Sequence, residues 1–113
     1  MIYNESQLIY SARNTPKELA KILSTPNTDI KLLANGIEIL SGENKDETLI
    51  SPILKLLLRH MNAIVREAAA IGVAAFYTHK KPPQDIIDLL KIISANDPSH
   101  ELKSYAKELL EDI

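Results

Sequence analysis

The chain contains no cysteine and no tryptophan, and among its 113 residues it has one phenylalanine and three glycines. Without cysteine it can form neither disulfide bonds nor thiolate metal sites, and we therefore expect it in the reducing cytoplasm. The three glycines, Gly36, Gly42 and Gly72, do not form a glycine-rich motif that could hold a phosphate group. These absences exclude a disulfide scaffold, a zinc-thiolate site and a phosphate-binding loop.

Long apolar runs are missing as well. Residues 68–79 carry no formal charge when His79 is neutral. This stretch is far shorter than the ~20 apolar residues that cross a bilayer. Residues 1–5 lack the basic segment and the apolar run of a secretory signal. We therefore predict neither a membrane-spanning segment nor export by the secretory route.

The charge is nearly balanced but unevenly distributed, with a formal net charge of −2. Residues 1–47 hold five cations and seven anions, residues 48–81 hold five cations and one anion, and residues 82–113 hold three cations and seven anions. Nucleic-acid-binding proteins usually have a continuous track of cations, because affinity grows with the number of phosphates neutralised. A basic middle segment between two acidic ends disfavours nucleic acid as the partner.

Three seven-residue windows align without gaps at 25–31, 60–66 and 97–103. Their starts are 35 and 37 residues apart, a period typical of stacked helix pairs. Each window ends in an aliphatic residue and a cation, and an alanine follows four positions after the aliphatic residue. The aliphatic residues are Ile30, Val65 and Leu102, the cations are Lys31, Arg66 and Lys103, and the alanines are Ala34, Ala69 and Ala106.

Apolar residues recur at helical spacing on both sides of each window. This pattern predicts three helix pairs, which span residues 15–41, 46–79 and 82–113. The small residues at 68–72 predict a close approach between two helices. A short helix within residues 1–14 is expected to cover one end of the stack.

Several helix boundaries have local signals. Thr15, Pro16 and Glu18 form a helix-start signature in which Thr15 caps the helix and Glu18 completes a capping box. Residues 41–44 are predicted to form the linker out of the first pair. Asp46 is the expected cap of the helix that follows.

The second and third windows resemble HEAT repeats, in which an aspartate at the turn is followed by valine and arginine and then by small residues. Asp97, Leu102, Lys103 and Ala106 match this pattern, and His60, Val65, Arg66 and Ala69 match it except at the turn. The first pair, through residues 14–16 and 25–26, also resembles a leucine-rich variant repeat. The resemblance covers residues 15–113.

This resemblance implies hydrogen bonds between aspartate and arginine from one repeat to the next, although Thr25 and His60 stand at the aspartate position here. It also implies the fold. We expect a single all-α domain over residues 1–113, which is a short right-handed α-solenoid of three HEAT-like helix pairs with an N-terminal capping helix.

Residues that could carry out chemistry are dispersed. His60, His79 and His100 lie in or beside predicted loops without a second ligand at helical spacing, so we expect no metal site. No serine lies in a nucleophile-elbow motif. The carboxylates within 43–47 and 108–112 are interpreted as solvated segments. We therefore expect a protein that is not an enzyme and that uses no metal or cofactor.

The positions two, five and nine residues beyond each aliphatic anchor are expected to point away from the core of their own helix pair. Because second helices usually line the concave side of such stacks, this row is predicted to form a partner-binding groove. The row consists of Leu32, Asn35, Ile39, Glu67, Ala70, Ala74, Ser104, Lys107 and Glu111, and Lys31, Arg66, Tyr77 and Lys103 flank it. Alternatively, the helices are rotated by one position, or the N-terminal segment covers the row.

The preferred hypothesis is a monomeric, non-enzymatic module that binds another protein through this groove or through its acidic end. The most concrete form is an immunity-type inhibitor, because small and slightly acidic helical proteins often cover the active site of a toxic enzyme such as a nuclease. One alternative is a general scaffold or adaptor. The other is a nucleic-acid-binding protein that uses the cations Lys55, Arg59, Arg66, Lys80 and Lys81.

Overall fold

We describe the protein from a computed structural model, which describes residues 4–25 and 28–113. Across these ranges the chain forms seven α-helices and no strand, which confirms the all-α prediction. The helices are α1 (Glu5–Asn14), α2 (Pro16–Leu23), α3 (Ile30–Glu43), α4 (Glu47–Leu58), α5 (Ala63–Phe76), α6 (Gln84–Asn96) and α7 (His100–Glu111). Residues 1–3 of the predicted capping segment and residues 26–27 of the first predicted turn lie outside the described residues. None of the seven helices has the length and apolar character needed to span a bilayer.

Five helices begin at a side chain that accepts a hydrogen bond from a backbone N–H in the first turn. These N-caps are Asn4, Asp29, Asp46, Asn62 and Ser99. Each bond satisfies an N–H group that has no partner within the helix and contributes about 1 kcal/mol. The predicted cap at Asp46 is confirmed.

The predicted capping box at the start of α2 is wrong. Thr15 makes no side-chain capping bond, and Pro16 is the first residue of the helix. Thr15 is also the C-cap of α1, where its backbone N–H donates to the Ser11 carbonyl at 2.9 Å and its hydroxyl approaches the same oxygen at 3.5 Å. Thr15 is therefore hydrogen-bonded to the end of α1. Helix α2 begins at Pro16, whose fixed φ suits the first position of a helix.

The linker predicted at residues 41–44 is also wrong, because α3 continues to Glu43 and ends at Asn44. Tertiary contacts extend the helix. Ser41 is buried with 2% of its surface exposed. The Glu43 carboxylate accepts a hydrogen bond from Arg13 Nε of α1 at 2.8 Å. Contacts with α5 at Ser41 and with α1 at Glu43 thus outweigh the local breaking tendency of the sequence at 41–44.

The helices pack in two rows. In one row α1 contacts α3, α3 contacts α5, and α5 contacts α7; in the other, α2 contacts α4 and α4 contacts α6. The pairs α2–α3, α4–α5 and α6–α7 connect the rows. The molecule measures 36 × 28 × 19 Å, and its smallest dimension fits two layers of helices about 10 Å across. The largest fully buried side chains are Leu8, Leu19, Leu23, Ile37, Leu40, Ile50, Leu54, Leu57, Val65, Ile86, Leu90 and Leu102.

Small residues bring α3 and α5 into the most extensive contact of the fold, as the sequence of 68–72 predicts. A Cβ atom on Gly72 would lie 2.8 Å from Ser41 Oγ and 2.9 Å from Leu54 Cδ2, so only glycine fits there without movement. Ser41 Oγ is buried at this contact and has no hydrogen-bond partner within the described residues. The tight packing therefore leaves one polar group unsatisfied.

The contact between Gly72 and Ser41 can be tested by a double-mutant cycle. Gly72→Ala should lower the free energy of unfolding by about 1–3 kcal/mol, because overpacking outweighs the better helix propensity of alanine. Ser41→Ala should be nearly neutral, since it removes a hydroxyl that has no partner. The double variant should recover part of the loss. Urea unfolding of the four proteins measures the coupling, and strict additivity would contradict the proposed contact.

Candidate protein-binding surface

The structure divides the predicted groove residues by exposure. Lys31, Asn35, Glu67, Ser104, Lys107 and Glu111 are exposed, and Leu32, Ile39, Arg66, Ala74 and Lys103 are half-buried. Ala70 is fully buried and Tyr77 is 7% exposed, so the prediction that these two face the groove is wrong. Ala70 is buried because α5 lies between α3 and α7, which cover both of its flanks.

Tyr77 has a structural contact instead. Its hydroxyl donates to Glu47 Oε2 at 2.9 Å, and Lys80 Nζ contacts Glu47 Oε1 at 3.1 Å. Burial, followed by the hydrogen bond to Glu47, raises the pKa of Tyr77 to about 12. The phenol therefore stays protonated and connects the end of α5 to the start of α4.

Arg66 likewise forms its hydrogen bonds within the protein. Its Nε and Nη2 donate to the two carboxylate oxygens of Asp97 at 2.8 and 3.0 Å. Its Nη1 donates to the carbonyls of His60 and Met61 at 2.8 and 2.9 Å. Only 12% of the Arg66 side chain and 5% of the Asp97 side chain are exposed. Arg66 therefore connects the turn before α5 to the turn before α7 and has little surface left for a partner.

The HEAT pattern departs at His60, and the structure shows what replaces the expected aspartate. His60 supplies its backbone carbonyl to Arg66, and its Nδ1 accepts a hydrogen bond from the Asn62 N–H at 3.0 Å. His60 thus stabilises the turn before α5. Across the described residues, no group of three or more histidine, aspartate or glutamate side chains is arranged to hold a metal ion.

A series of glutamates lies on the row α1–α3–α5–α7, and the sequence analysis predicted one of them, Glu67, as a groove residue and missed the others. We call Glu5 of α1, Glu38 of α3, Glu67 of α5 and Glu108 of α7 the glutamate row. Glu5 and Glu38 line one cavity of about 290 Å³, together with Asn35 and Ile39. Among the described residues none of the four carboxylates forms an ion pair.

Two side chains at this row, Glu38 and Tyr105, have perturbed pKa values. Partial burial, and then the charge of Glu67, raise the pKa of Glu38 above its ordinary value. Burial also raises the pKa of Tyr105 on α7, with added contributions from Glu108, Glu38 and Glu67. The three helices therefore bring negative charges together around Tyr105.

Apolar side chains lie beside the glutamate row. Leu32 and Ile39 are half-buried on α3, and Ile64 on α5 is 63% exposed one turn before Glu67. Glu38, Glu67 and Glu108 stand eight, two and six residues after the anchors of their helices, so no single offset along the sequence groups them.

The cations of the nucleic-acid alternative are largely paired. Lys55 contacts Asp85 at 2.8 Å, Arg66 contacts Asp97 at 2.8 Å, and Lys80 contacts Glu47 at 3.1 Å. Phosphate groups would have to compete with these carboxylates. The arrangement therefore disfavours a nucleic-acid backbone as the ligand.

Comparisons of the chain with protein-family models, with curated proteins and with solved structures give no match. The resemblance to HEAT repeats therefore depends on residues of this chain alone.

The Arg66–Asp97 pair makes stability depend on pH. Burial favours the neutral acid, but hydrogen bonds from Arg66 and the Ser99 N–H outweigh it and hold the pKa of Asp97 below its ordinary value of 3.8. The stabilisation is therefore present above pH 3.8 and is lost as the pH falls through the lower folded-state pKa.

Asp97→Asn should lower the free energy of unfolding at pH 7 by about 3 kcal/mol, because Arg66 keeps its buried charge without a counter-charge. The difference from the parent should shrink at pH 3. Urea unfolding at pH 7, 5 and 3 measures it, with Asp112→Asn at an exposed position as the control. A difference that stays constant down to pH 3 would show that the carboxylate charge is not responsible.

Proposed function

We propose that this chain is a short right-handed α-solenoid of three HEAT-like helix pairs, capped by α1, and that it acts as a monomeric cytoplasmic module that binds another protein and is not an enzyme. The two rows of helices support this architecture, because each pair contacts the next through equivalent elements. The Arg66–Asp97 pair supports it as well, since it joins successive turns at the positions where HEAT repeats have arginine and aspartate.

The observation that carries the proposal is the glutamate row with its apolar neighbours. Carboxylates that lie close together without a counter-charge repel one another, and Glu38 is in addition partly removed from water. A partner with lysine or arginine at matching positions would relieve this repulsion on binding. Ile39 and Ile64 would supply the apolar contacts that a protein interface needs beside its charged groups.

The most concrete form of this function is an immunity-type inhibitor. An enzyme that cleaves nucleic acid needs a basic groove for the phosphate backbone. The glutamate row crosses four helices and has the charge to cover such a groove. In this form the protein blocks a nuclease toxin by occupying its substrate site and needs no catalytic group of its own.

Glu67→Lys tests the partner-binding face. The tagged protein and the variant are used to capture proteins from a lysate of the native cell, followed by mass spectrometry. We expect the parent to retain a basic protein at low salt and Glu67→Lys to lose it by about tenfold or more, because the variant introduces like-charge repulsion.

Glu18→Lys is the matched control, since Glu18 is exposed on α2 in the other row and the charge change is the same. Retention by both the parent and Glu18→Lys, but not by Glu67→Lys, supports the proposal. If no protein is retained, or if all three baits retain it equally, the glutamate row is not the binding face.

Glu38→Gln tests whether the charge of Glu38 in the glutamate row lowers the stability of the fold. Because folding raises the pKa of Glu38, its charged form is disfavoured in the folded protein, and the parent gains stability as the pH falls from neutral to below the ordinary value of 4.5. Glu38→Gln should therefore be more stable than the parent at pH 7 by a few tenths of a kcal/mol. The free energies of unfolding of the parent and the variant should converge at pH 4. Urea unfolding at pH 7 and pH 4 measures the difference. A variant less stable than the parent at pH 7 would indicate that Glu38 supports the fold.

A further inference from the structure

We propose that a second surface, formed where α2, α4 and α6 end, binds an acidic amphipathic helix of another protein. We call this surface the turn edge and define it by Leu56 and Arg59 at the end of α4 and Ile92 near the end of α6. It carries charge of the opposite sign from the glutamate row. It also lies on the other row of helices, so the inference does not depend on the proposed function.

Two hollows lie along the turn edge. The first has a volume of about 410 Å³ and lies between the ends of α2 and α4. Its apolar wall consists of Leu23, Leu33, Leu56 and Leu57, and its polar wall includes Ser24, Thr25 and His60. The second has a volume of about 240 Å³ and lies between the ends of α4 and α6, lined by Leu58, Leu89, Ile92 and Pro98. Leu56 is 48% exposed and Ile92 is 58% exposed beside them. Each hollow can accept one aliphatic or aromatic side chain.

Arg59 separates the two hollows and lines both of them. It is exposed, and within the described part of the chain its guanidinium forms no ion pair. A side chain that enters either hollow therefore passes beside an unneutralised cation. A carboxylate placed between the two apolar groups of a ligand would meet this guanidinium, which can bind it through two hydrogen bonds.

The charges that line the two hollows favour an acidic ligand. Asp97 is paired with Arg66 at the second hollow, so these two charges compensate each other. Within the described residues, Arg59 is the charge of the lining that is left uncompensated. Further out, the charges of Lys31, Lys91 and Lys103 are matched in number by those of Asp29, Asp88 and Glu101. The acidic group of the ligand is therefore assigned to Arg59.

The spacing of the hollows indicates the form of the ligand. They lie on the two sides of α4, and neighbouring packed helices are about 8–10 Å apart. On an α-helix, side chains seven residues apart are about 10 Å apart on nearly the same face, with residues three or four along the chain between them. The matching ligand is a helix with apolar residues at i and i+7 and an aspartate or glutamate at i+3 or i+4.

The probe for this test is a phage-displayed library of random 16-residue peptides, selected on the intact protein. We expect the enriched peptides to share the apolar–acidic–apolar spacing. Synthetic versions should bind the parent in fluorescence anisotropy, and Arg59→Glu and Ile92→Ser should each weaken binding by about tenfold or more. Both substituted side chains are exposed, so circular dichroism and urea unfolding should match the parent.

Lys107→Glu is the matched charge-reversal control on α7, and Glu67→Lys controls for the glutamate row; neither should change peptide binding. The proposal is overturned if no peptide family is enriched over an unrelated helical protein, or if Arg59→Glu binds the enriched peptides as tightly as the parent. It is also overturned if Glu67→Lys abolishes binding, since the peptides would then occupy the other face. Self-association of the parent in sedimentation velocity that Ile92→Ser abolishes would assign the surface to a second copy of the chain instead.

Discussion

Arg66 and Asp97 form the contact on which the arrangement of the later helices depends. The guanidinium bonds to the Asp97 carboxylate and, at the same time, to the carbonyls of His60 and Met61, so one side chain connects the α4–α5 turn to the α6–α7 turn. Because both side chains are largely removed from water, the pair is held by specific geometry and not by charge alone. This contact fixes how the last helix pair sits against the middle one.

Between α3 and α5, close packing of small residues holds the helices together, as the ion pair does at Asp97. Gly36 and Gly72 lack side chains where Leu23 and Leu54 pack, and the alanines of α5 allow α3 to lie close along its length. The buried hydroxyl of Ser41 shows that this close approach is reached with one hydrogen bond left unmade. The middle of the protein is thus closely packed.

The sequence predicted the helices well where local chemistry determines them. Asp46 and Pro16 mark helix starts that the structure shares, because capping and proline geometry act within a few residues. The predictions from the sequence were wrong where contacts between residues distant in the sequence determine the structure. The carboxyl end of α3 is extended by Arg13, thirty residues away. Ala70 is buried by helices on both sides, which no spacing along α5 reveals. Apart from Glu67, the glutamate row was missed because its members come from four helices and share no common spacing from the aliphatic anchors.

The order of the helix contacts has a consequence for how the chain folds. Each extensive contact joins helices that are adjacent or next but one in the sequence. Such short-range connectivity requires little loop closure before contacts form, and proteins of this kind typically fold within microseconds to milliseconds. The two most extensive contacts, α3–α5 and α6–α7, both join helices that are close in the sequence, so neither requires a long loop to close before it forms.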